Sequence, residues 1–358
     1  MHDICVLIGR FQPVHAGHLA LLYEALRIAP KVVVVLGSAH AARSVRNPFT
    51  WRERRALVWG ALSPELAQRV HFAPVRDYYD EARWASAVVD AVHHADGLLP
   101  DPKVGASVCI VGHFKDASSG YLRCFPGWAL HAMPLQGAFD ATPIRDAWLR
   151  GDAHLMQDPV LPNVLTFLRD FSATPDFARL QEEWQALQQA RAAWAAAPYP
   201  PIFVTVDALV HDQQHVLLIR RRRAPGRGLL ALPGGFVDEQ ETLLRSCLRE
   251  LAEETHCALA PDDFWRALQG VRVFAHPGRS QRGRTITHVH RFDLDTVPRN
   301  HAPAALPAVR ADDDAAEALW VPIADLARLE DQFFEDHFHV LDVFLGILAP
   351  TSACTPAQ

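Results

Sequence analysis

The feature that most constrains the fold is a set of short, unbroken apolar runs rich in β-formers. In the first half of the chain these are Ile4–Ile8, Val32–Leu36 and Val108–Val111. A strand with one wet face alternates apolar and polar residues. A continuous apolar run is buried on both faces, as in a parallel sheet covered by helices. Helical patterns at Gly17–Ile28 and Trp51–Leu62 separate the runs. Strand alternating with helix predicts a doubly wound α/β domain.

At 358 residues the chain exceeds one such domain, since domains hold about 100–200 residues each. Phe177, Leu180, Trp184, Leu187 and Trp194 mark one face of a helix, and Pro198-Tyr199-Pro200-Pro201 ends it. Runs at Ile202–Val210 and Val216–Ile219 then open a second pattern. The expected organisation is a first domain over 1–172, a helix and Pro-rich linker over 173–201, a second domain over 202–348, and a disordered tail over 349–358. Residues 299–314, rich in Pro, Ala and Asp, are expected to form an exposed loop.

The net charge of −6 argues against bulk electrostatic binding to nucleic acid or an anionic membrane. No apolar run approaches the roughly 20 residues of a membrane span. The first residues read as a strand rather than a signal peptide. The 6 cysteines lack C-x-x-C spacing, and the expectation is reduced thiols in a cytoplasmic protein. No nucleic-acid or membrane partner is expected, and a homo-oligomer stays open.

The first candidate site is Gly9-Arg10-Phe11-Gln12-Pro13-Val14-His15-Ala16-Gly17-His18. It follows a strand and opens a helix, where free N–H groups and a positive partial charge suit a phosphate. Gly17 allows close approach of backbone or nucleotide. His15 and His18 can donate hydrogen bonds to a phosphoryl group. Thr142-Pro143-Ile144-Arg145 reads as a second helix start, with Thr142 as N-cap, Pro143 first in the helix and Arg145 aimed at a polyphosphate. The bland alternative is a turn with incidental histidines, in a chain that has 19 of them.

His15-Ala16-Gly17-His18 together with Thr142–Arg145 resembles the nucleotidyltransferase superfamily marked by H-x-G-H. Within it, residues 3–170 are similar to nicotinamide mononucleotide adenylyltransferases of the archaeal-like type. Asn47–Arg54 and Gly112–Ser119 carry that similarity further. The resemblance implies a Rossmann-like domain that transfers an adenylyl group from ATP to the mononucleotide, giving NAD and pyrophosphate. It also implies Mg2+ (or Mn2+) on the triphosphate, phosphate contacts from Arg10, His15, His18 and Arg145, and an ATP site lined by Gly112 and Thr142. Gly9, Phe11, Gln12, Asn47, Lys115, Asp116 and Ile144 complete the implied nucleotide site. Trp84 either stacks on the pyridine ring or packs in the core.

The second candidate site runs from Gly235 to Cys257. Thr242–Thr255 is expected to be a helix, with Glu250, Glu253 and Glu254 at i, i+3 and i+4 on one face. Like charges there repel, and a divalent cation with oxygen ligands resolves the conflict. Arg249 adjoins Glu250 and is expected to orient it, and the glycine loop at Leu232-Pro233-Gly234-Gly235 offers carbonyls. A solvated acidic face is the simpler reading of Glu-x-x-Glu-Glu alone. The full spacing resembles the Nudix box at every position but one, His256 standing where the pattern has glycine. That position follows the helix and is one where a positive φ is expected.

The Nudix resemblance covers 202–348 and implies an α/β/α sandwich with a mixed sheet that hydrolyses a nucleoside diphosphate linked to another group. It implies Glu250 and Glu254 as main metal ligands, Glu253 as ligand or base, Gly235 as a carbonyl ligand, and Glu241 in support. Arg220–Arg223 is a basic run just before the glycine loop, either a substrate contact or a solvated cluster. Arg282–Thr287 resembles a segment of ADP-ribose-type members, and the pairing with an NAD-making domain points to ADP-ribose as well. Taken together, the two halves resemble bifunctional nicotinamide-nucleotide adenylyltransferase/Nudix hydrolases. The alternative joins an adenylyltransferase for another acceptor to an ADP-ribose sensor.

Overall fold

The computed structural model describes residues 2–95, 106–114, 117–134, 140–152, 160–297 and 306–348. The chain divides into two compact units at Gln181–Glu182, inside the segment expected to join the domains. The tail over 349–358 lies outside the described residues.

The first unit contains β1 (Ile4–Gly9), α1 (Ala16–Ile28), β2 (Lys31–Leu36), α2 (Trp51–Trp59), α3 (Pro64–Ala67), β3 (Val70–Pro74), α4 (Glu81–His93), β4 (Val108–Gly112), β5 (Ala129–Ala132), α5 (Ala141–Arg150) and α6 (Pro162–Phe171). Helix α7 (Pro175–Ala193) carries the chain across the division. The strands form one parallel sheet in the order β3-β2-β1-β4-β5. Val32 to Leu36 have no solvent exposure at all, which is what unbroken apolar strands require. α1 lies against β1, β2 and β4, while α4 covers β2 and β3. Strand order reverses between β1 and β4, so a crevice opens beyond their carboxyl ends.

The second unit contains β6 (Ile202–His211), β7 (His215–Arg221), β8 (Leu230–Ala231), β9 (Gly234–Phe236), α8 (Leu243–Thr255), α9 (Pro261–Ala267), β10 (Leu268–Phe274), β11 (Arg284–Asp293), β12 (Ala315–Pro322) and α10 (His337–Leu345). Its mixed sheet has the order β10-β11-β6-β7-β12, with β8 on β7 and β9 on β6. Among the described strands, β6 and β11 alone are parallel neighbours. Val206, Ala208 and Val210 pack with Leu251 of α8 and Phe264 of α9. Leu209 and Leu218 pack with Phe338 and Leu341 of α10. Helices therefore cover both faces, as an α/β/α sandwich requires.

Several elements differ from expectation. The helix from Trp51 stops at Trp59, with Gly60 as its C-cap. Strands β3, β5, β10, β11 and β12 were not anticipated, being short or flanked by mixed sequence. Residues 306–314 form the loop expected there, half-buried to exposed. It is tied to α8 and its following turn: Ala258 N–H donates to Ala308 O and Arg310 N–H to Thr255 O. Residues 299–305 lie outside the described residues. Cys5, Cys109, Cys124, Cys247 and Cys257 are free thiols. Among the described residues no helix is long and apolar enough to cross a membrane.

Candidate active sites

The first site sits on the loop from β1 to α1. His15 is the N-cap of α1 and is buried. Its backbone N–H donates to His18 Nδ1 at 3.3 Å, and the two rings lie 3.7 Å apart. Enclosure by protein holds the His18 pKa well below its ordinary value, with His15 and His113 adding repulsion. His18 is therefore neutral. Its Nδ1 accepts, so its proton sits on Nε2, the nitrogen left to donate. Phe11, at φ +52, packs its ring 4.6 Å from that of His18.

Two buried groups fix this loop. The Gln12 amide donates to Phe49 O at 2.8 Å and accepts from Phe49 N–H at 3.0 Å. The loop carrying Asn47 is thereby tied to the one carrying His15. Arg54, fully buried in α2, donates to the carbonyls of Arg10, Gly37 and Ser38. Its role was not legible in the sequence, where it is one arginine of a mixed-charge run. Arg43 locks the same segment by a bidentate pair with Glu53 at 2.8 Å.

Arg145 reaches the loop from α5. It donates to Gln12 O at 2.7 Å and to Thr142 Oγ1 at 3.1 Å. Burial lowers its pKa to about 10, and Arg10 and Arg46 repel it further. Arg10 is lowered by its protein surroundings and by Arg46, although it keeps exposed surface at the mouth. Arg46 thus disfavours the charge on both Arg10 and Arg145, and so much positive charge gathered in one place is a field suited to a polyanion. Arg46 was not singled out from the sequence, since nothing in its spacing signals this proximity.

The expected cap of α5 is corrected. Asp140, not Thr142, is the N-cap, and its carboxylate accepts from Thr142 N–H at 2.8 Å. Thr142 instead orients Arg145. Ile144 is buried in the core, so only its backbone is available to a ligand. Gly9 and Gly112 end their strands where Phe11 and Leu122 pass close by. Gly17 is the second residue of α1. Asn47 presents a buried Oδ1 with no partner, an acceptor suited to a ligand N–H. Trp84 is engaged in the core, 5.8 Å from Tyr121 and 5.7 Å from Phe125. Lys115 and Asp116 lie outside the described residues.

The second site joins α8 to the glycine loop. Thr242 caps α8 by accepting from Arg245 N–H. Glu254, 2% exposed, accepts from Gly234 N–H at 2.9 Å. Burial pushes its pKa up to about 8, and the neighbouring Glu250 adds repulsion. Glu250 is also raised by burial. A Cβ at Gly235 would fall 2.5 Å from the Glu250 carboxyl carbon, so any larger residue there would push that carboxylate from its place. Arg249 orients Glu250 as expected, donating to Glu250, Glu253 and Glu241 at 2.9 Å each.

The three carboxylates face different partners: Glu250 and Glu253 share Arg249 Nη1, and Glu254 accepts from Gly234 N–H. Among the described residues no three His, Cys, Asp or Glu side chains stand ready to hold a metal ion. Glu253 is half-exposed and turned to Arg249, whereas Glu250 and Glu254 are inside. The donor chemistry fits a divalent cation: Glu254 is buried with the Glu250 charge beside it, Glu250 is itself crowded by Glu253 and Asp313, and a cation removes the cost of ionising them. His256 ends α8 at φ +39 and ψ +40, the left-handed cap that the sequence pattern fills with glycine. Its Nε2 lies 3.0 Å from Asp312 Oδ2.

Residues 201–344 match the NUDIX domain model and residues 6–93 the cytidylyltransferase-like model. A nicotinamide/nicotinic acid mononucleotide adenylyltransferase from Acinetobacter baylyi is 32% identical over 185 residues, covering 51% of this chain and 94% of that protein. An ADP-ribose pyrophosphatase from Methanocaldococcus jannaschii is 36% identical over 126 residues, covering 35% of this chain and 65% of that protein. The crystal structure of a bifunctional NMN adenylyltransferase/ADP ribose pyrophosphatase from Francisella tularensis matches with a TM-score of 0.85 and 35% identity, over 97% of this chain and 99% of that one. A second structure from that organism, complexed with AMP and a Mn ion, matches with the same score at 34% identity.

Proposed function

The chain belongs to the family of bifunctional NMN adenylyltransferase/ADP-ribose pyrophosphatases, and on that premise we propose that its first unit makes NAD and its second cleaves ADP-ribose. The observation that carries the first half is the convergence of Arg10, Arg46 and Arg145 beside the His15–His18 pair. In this reading the phosphate of nicotinamide mononucleotide attacks the α-phosphate of ATP, and pyrophosphate leaves. No covalent protein intermediate is required; positioning and charge stabilisation supply the rate. Neutral His18 donates from Nε2 to the phosphoryl oxygens, and the arginines absorb the charge of the leaving group. Asn47 Oδ1 accepts from a substrate N–H.

In the second unit Glu250 and Glu254 would hold a divalent cation, magnesium or manganese, and the Gly235 carbonyl would be available as a further oxygen ligand. Bound there, the cation supplies charge neutralisation and Lewis-acid polarisation to the diphosphate. Arg249 keeps Glu250 in place, and Glu241 keeps Arg249 in place. The reading of this half as a silent ADP-ribose sensor is weaker, because both buried carboxylates are retained and aligned. The test is product analysis of the purified chain. ATP, magnesium and nicotinamide mononucleotide are expected to give NAD and pyrophosphate, and ADP-ribose with manganese is expected to give AMP and ribose phosphate. Absence of both products sinks the proposal.

A further inference from the structure

Glycine at the end of α8 would take the left-handed turn without strain, so what His256 adds there is its imidazole. His256 Nε2 donates to Asp312 Oδ2 at 3.0 Å. The other oxygen of that carboxylate, Oδ1, accepts from Asp313 N–H at 2.9 Å. One carboxylate thus joins the end of the helix to the backbone of the next residue in the loop before β12.

Main-chain bonds lay the rest of this loop along α8. Arg310 N–H donates to Thr255 O at 2.8 Å, and Asp312 N–H donates to Glu254 O at 3.3 Å. On the far side Asp314 O accepts from Arg222 N–H at 2.8 Å, at the end of β7. Asp313, between the two ties, sits at φ +45, a conformation that persists where the surrounding structure holds it. The Asp313 charge raises the cost of ionising Glu250, and that of Asp314 does the same to Glu254. Negative charge that is costly beside a carboxylate strengthens the hold on a cation.

We propose that His256 is a positioning residue for the cation of the second unit: by holding Asp312 it keeps the Asp313 carboxylate beside Glu250 and raises the affinity for a divalent ion. This rests on the reading of Glu250 and Glu254 as the carboxylates that hold the cation. Asp313 acts as a charge next to the site and not as a third ligand, because among the described residues no three His, Cys, Asp or Glu side chains are placed to hold an ion. Where the Nudix pattern has glycine, no side chain is present to make this tie. Both partners of the tie are well exposed, 40% for the His256 side chain and 54% for that of Asp312, so its effect is modest.

The experiment is manganese binding by the metal-free full chain, with free manganese read from its electron paramagnetic resonance signal. Glu254→Gln supplies the baseline. His256→Gly is expected to weaken the Glu254-dependent binding about threefold, within the reach of one exposed charged pair. His256→Gln places an amide nitrogen where Nε2 stood and restores the wild-type affinity. Asp313→Asn weakens binding at least as much as His256→Gly. In the Asp313→Asn background, His256→Gly adds less than about 1.5-fold, since coupled residues are not additive. At saturating manganese the kcat for ADP-ribose stays within about twofold of wild type in His256→Gly, because His256 takes no part in the chemistry. A role in stability alone would move the urea midpoint and leave manganese affinity where it was. Equal affinity in wild type and His256→Gly, or the same His256→Gly effect with and without the Asp313 carboxylate, overturns the proposal. Manganese binding that Glu254→Gln leaves unchanged removes the cation reading itself, and the role of His256 falls with it.

Discussion

Arg54 Nη1 donates to the carbonyl oxygen of Arg10 at 2.6 Å, and the same nitrogen donates to Gly37 O at 2.8 Å. One buried cation thus gathers the loops that leave β1 and β2. Burial lowers its pKa to about 10, the direction expected when a charge is enclosed mainly by carbonyl dipoles. Arg54→Leu strands those carbonyls, and each unmet buried acceptor costs about 1–3 kcal/mol. The urea midpoint of the first unit is expected to fall clearly. Arg54→Lys reaches fewer carbonyls and is expected to keep the fold while slowing NAD formation at least about tenfold, as misplaced positioning groups do. A lysine variant with wild-type rate would remove Arg54 from any positioning role.

His18 combines a structural and a chemical task. His18→Ala removes the acceptor for His15 N–H, which costs roughly 1 kcal/mol of helix-cap stability. It also removes the Nε2 donor. The kcat for NAD formation is expected to drop about 10²–10³-fold, as for loss of one preorganised donor, while KM for ATP changes little. Rapid-quench and steady-state assays separate the two. A rise in KM at constant kcat would mean that His18 only binds substrate.

Much of this was legible in the sequence, and the exceptions have physical causes. Strands β1, β2 and β4 announce themselves because both faces are buried. Strand β5 does not, because Ala129–Ala132 is largely exposed and carries no periodic signal. The glycine loop and the Glu250–Glu254 spacing are local, so the second site could be read directly. Arg46 and Arg54 act across loops distant in sequence, and no spacing rule reports that. The N-cap at Asp140 was missed because Thr-Pro is the commoner cue, and Asp140 follows residues without helical pattern. What the spacing does not report is that Arg249 Nη1 gathers Glu250 and Glu253 together, while Glu254 turns inward to Gly234 N–H.

His256 occupies a left-handed position at little cost. His256→Gly relieves backbone strain but loses the exposed contact with Asp312, worth about 0.2–1 kcal/mol. The net change in stability is expected to stay within about 1 kcal/mol. His256→Val places a β-branched residue at φ +39 and is expected to destabilise by more than about 1 kcal/mol. Paired urea titrations of the two variants check this. Equal midpoints would show that the end of α8 relaxes out of its left-handed turn.

Glu254 trades stability for chemistry. Burial favours its protonated form, so the neutral isostere in Glu254→Gln is easier to enclose. Its amide oxygen still accepts from Gly234 N–H. In metal-free buffer at neutral pH the variant is expected to unfold at a higher urea concentration than the wild type. ADP-ribose hydrolysis is expected to fall at least about 10²-fold, the scale of losing a group central to charge stabilisation, with NAD formation unaltered. Retained hydrolysis would exclude Glu254 as a metal ligand.

His337 gives the second unit a pH dependence of defined sign. Its Nδ1 accepts from Leu232 N–H at 3.1 Å, and burial lowers its pKa to about 3. Asp336 opposes that shift, while Arg279, Arg221 and Arg282 reinforce it. The unfolded chain takes up a proton near the ordinary histidine value of about 6.5, which the native state refuses. Stability from this group is therefore complete above that value and is lost as pH falls toward 3. Between pH 7 and pH 5 the linkage amounts to about 2 kcal/mol. Buried carboxylates such as Glu335 and Asp207 have raised pKa values and push the other way, so the wild-type profile alone does not isolate the effect. His337→Asn supplies an amide oxygen for Leu232 N–H without titrating. The difference between wild type and this variant, read from urea midpoints at the two pH values, is expected to favour the variant at pH 5. A pH-independent difference would mean that His337 is protonated in the folded state, and that Leu232 N–H is met by some other group.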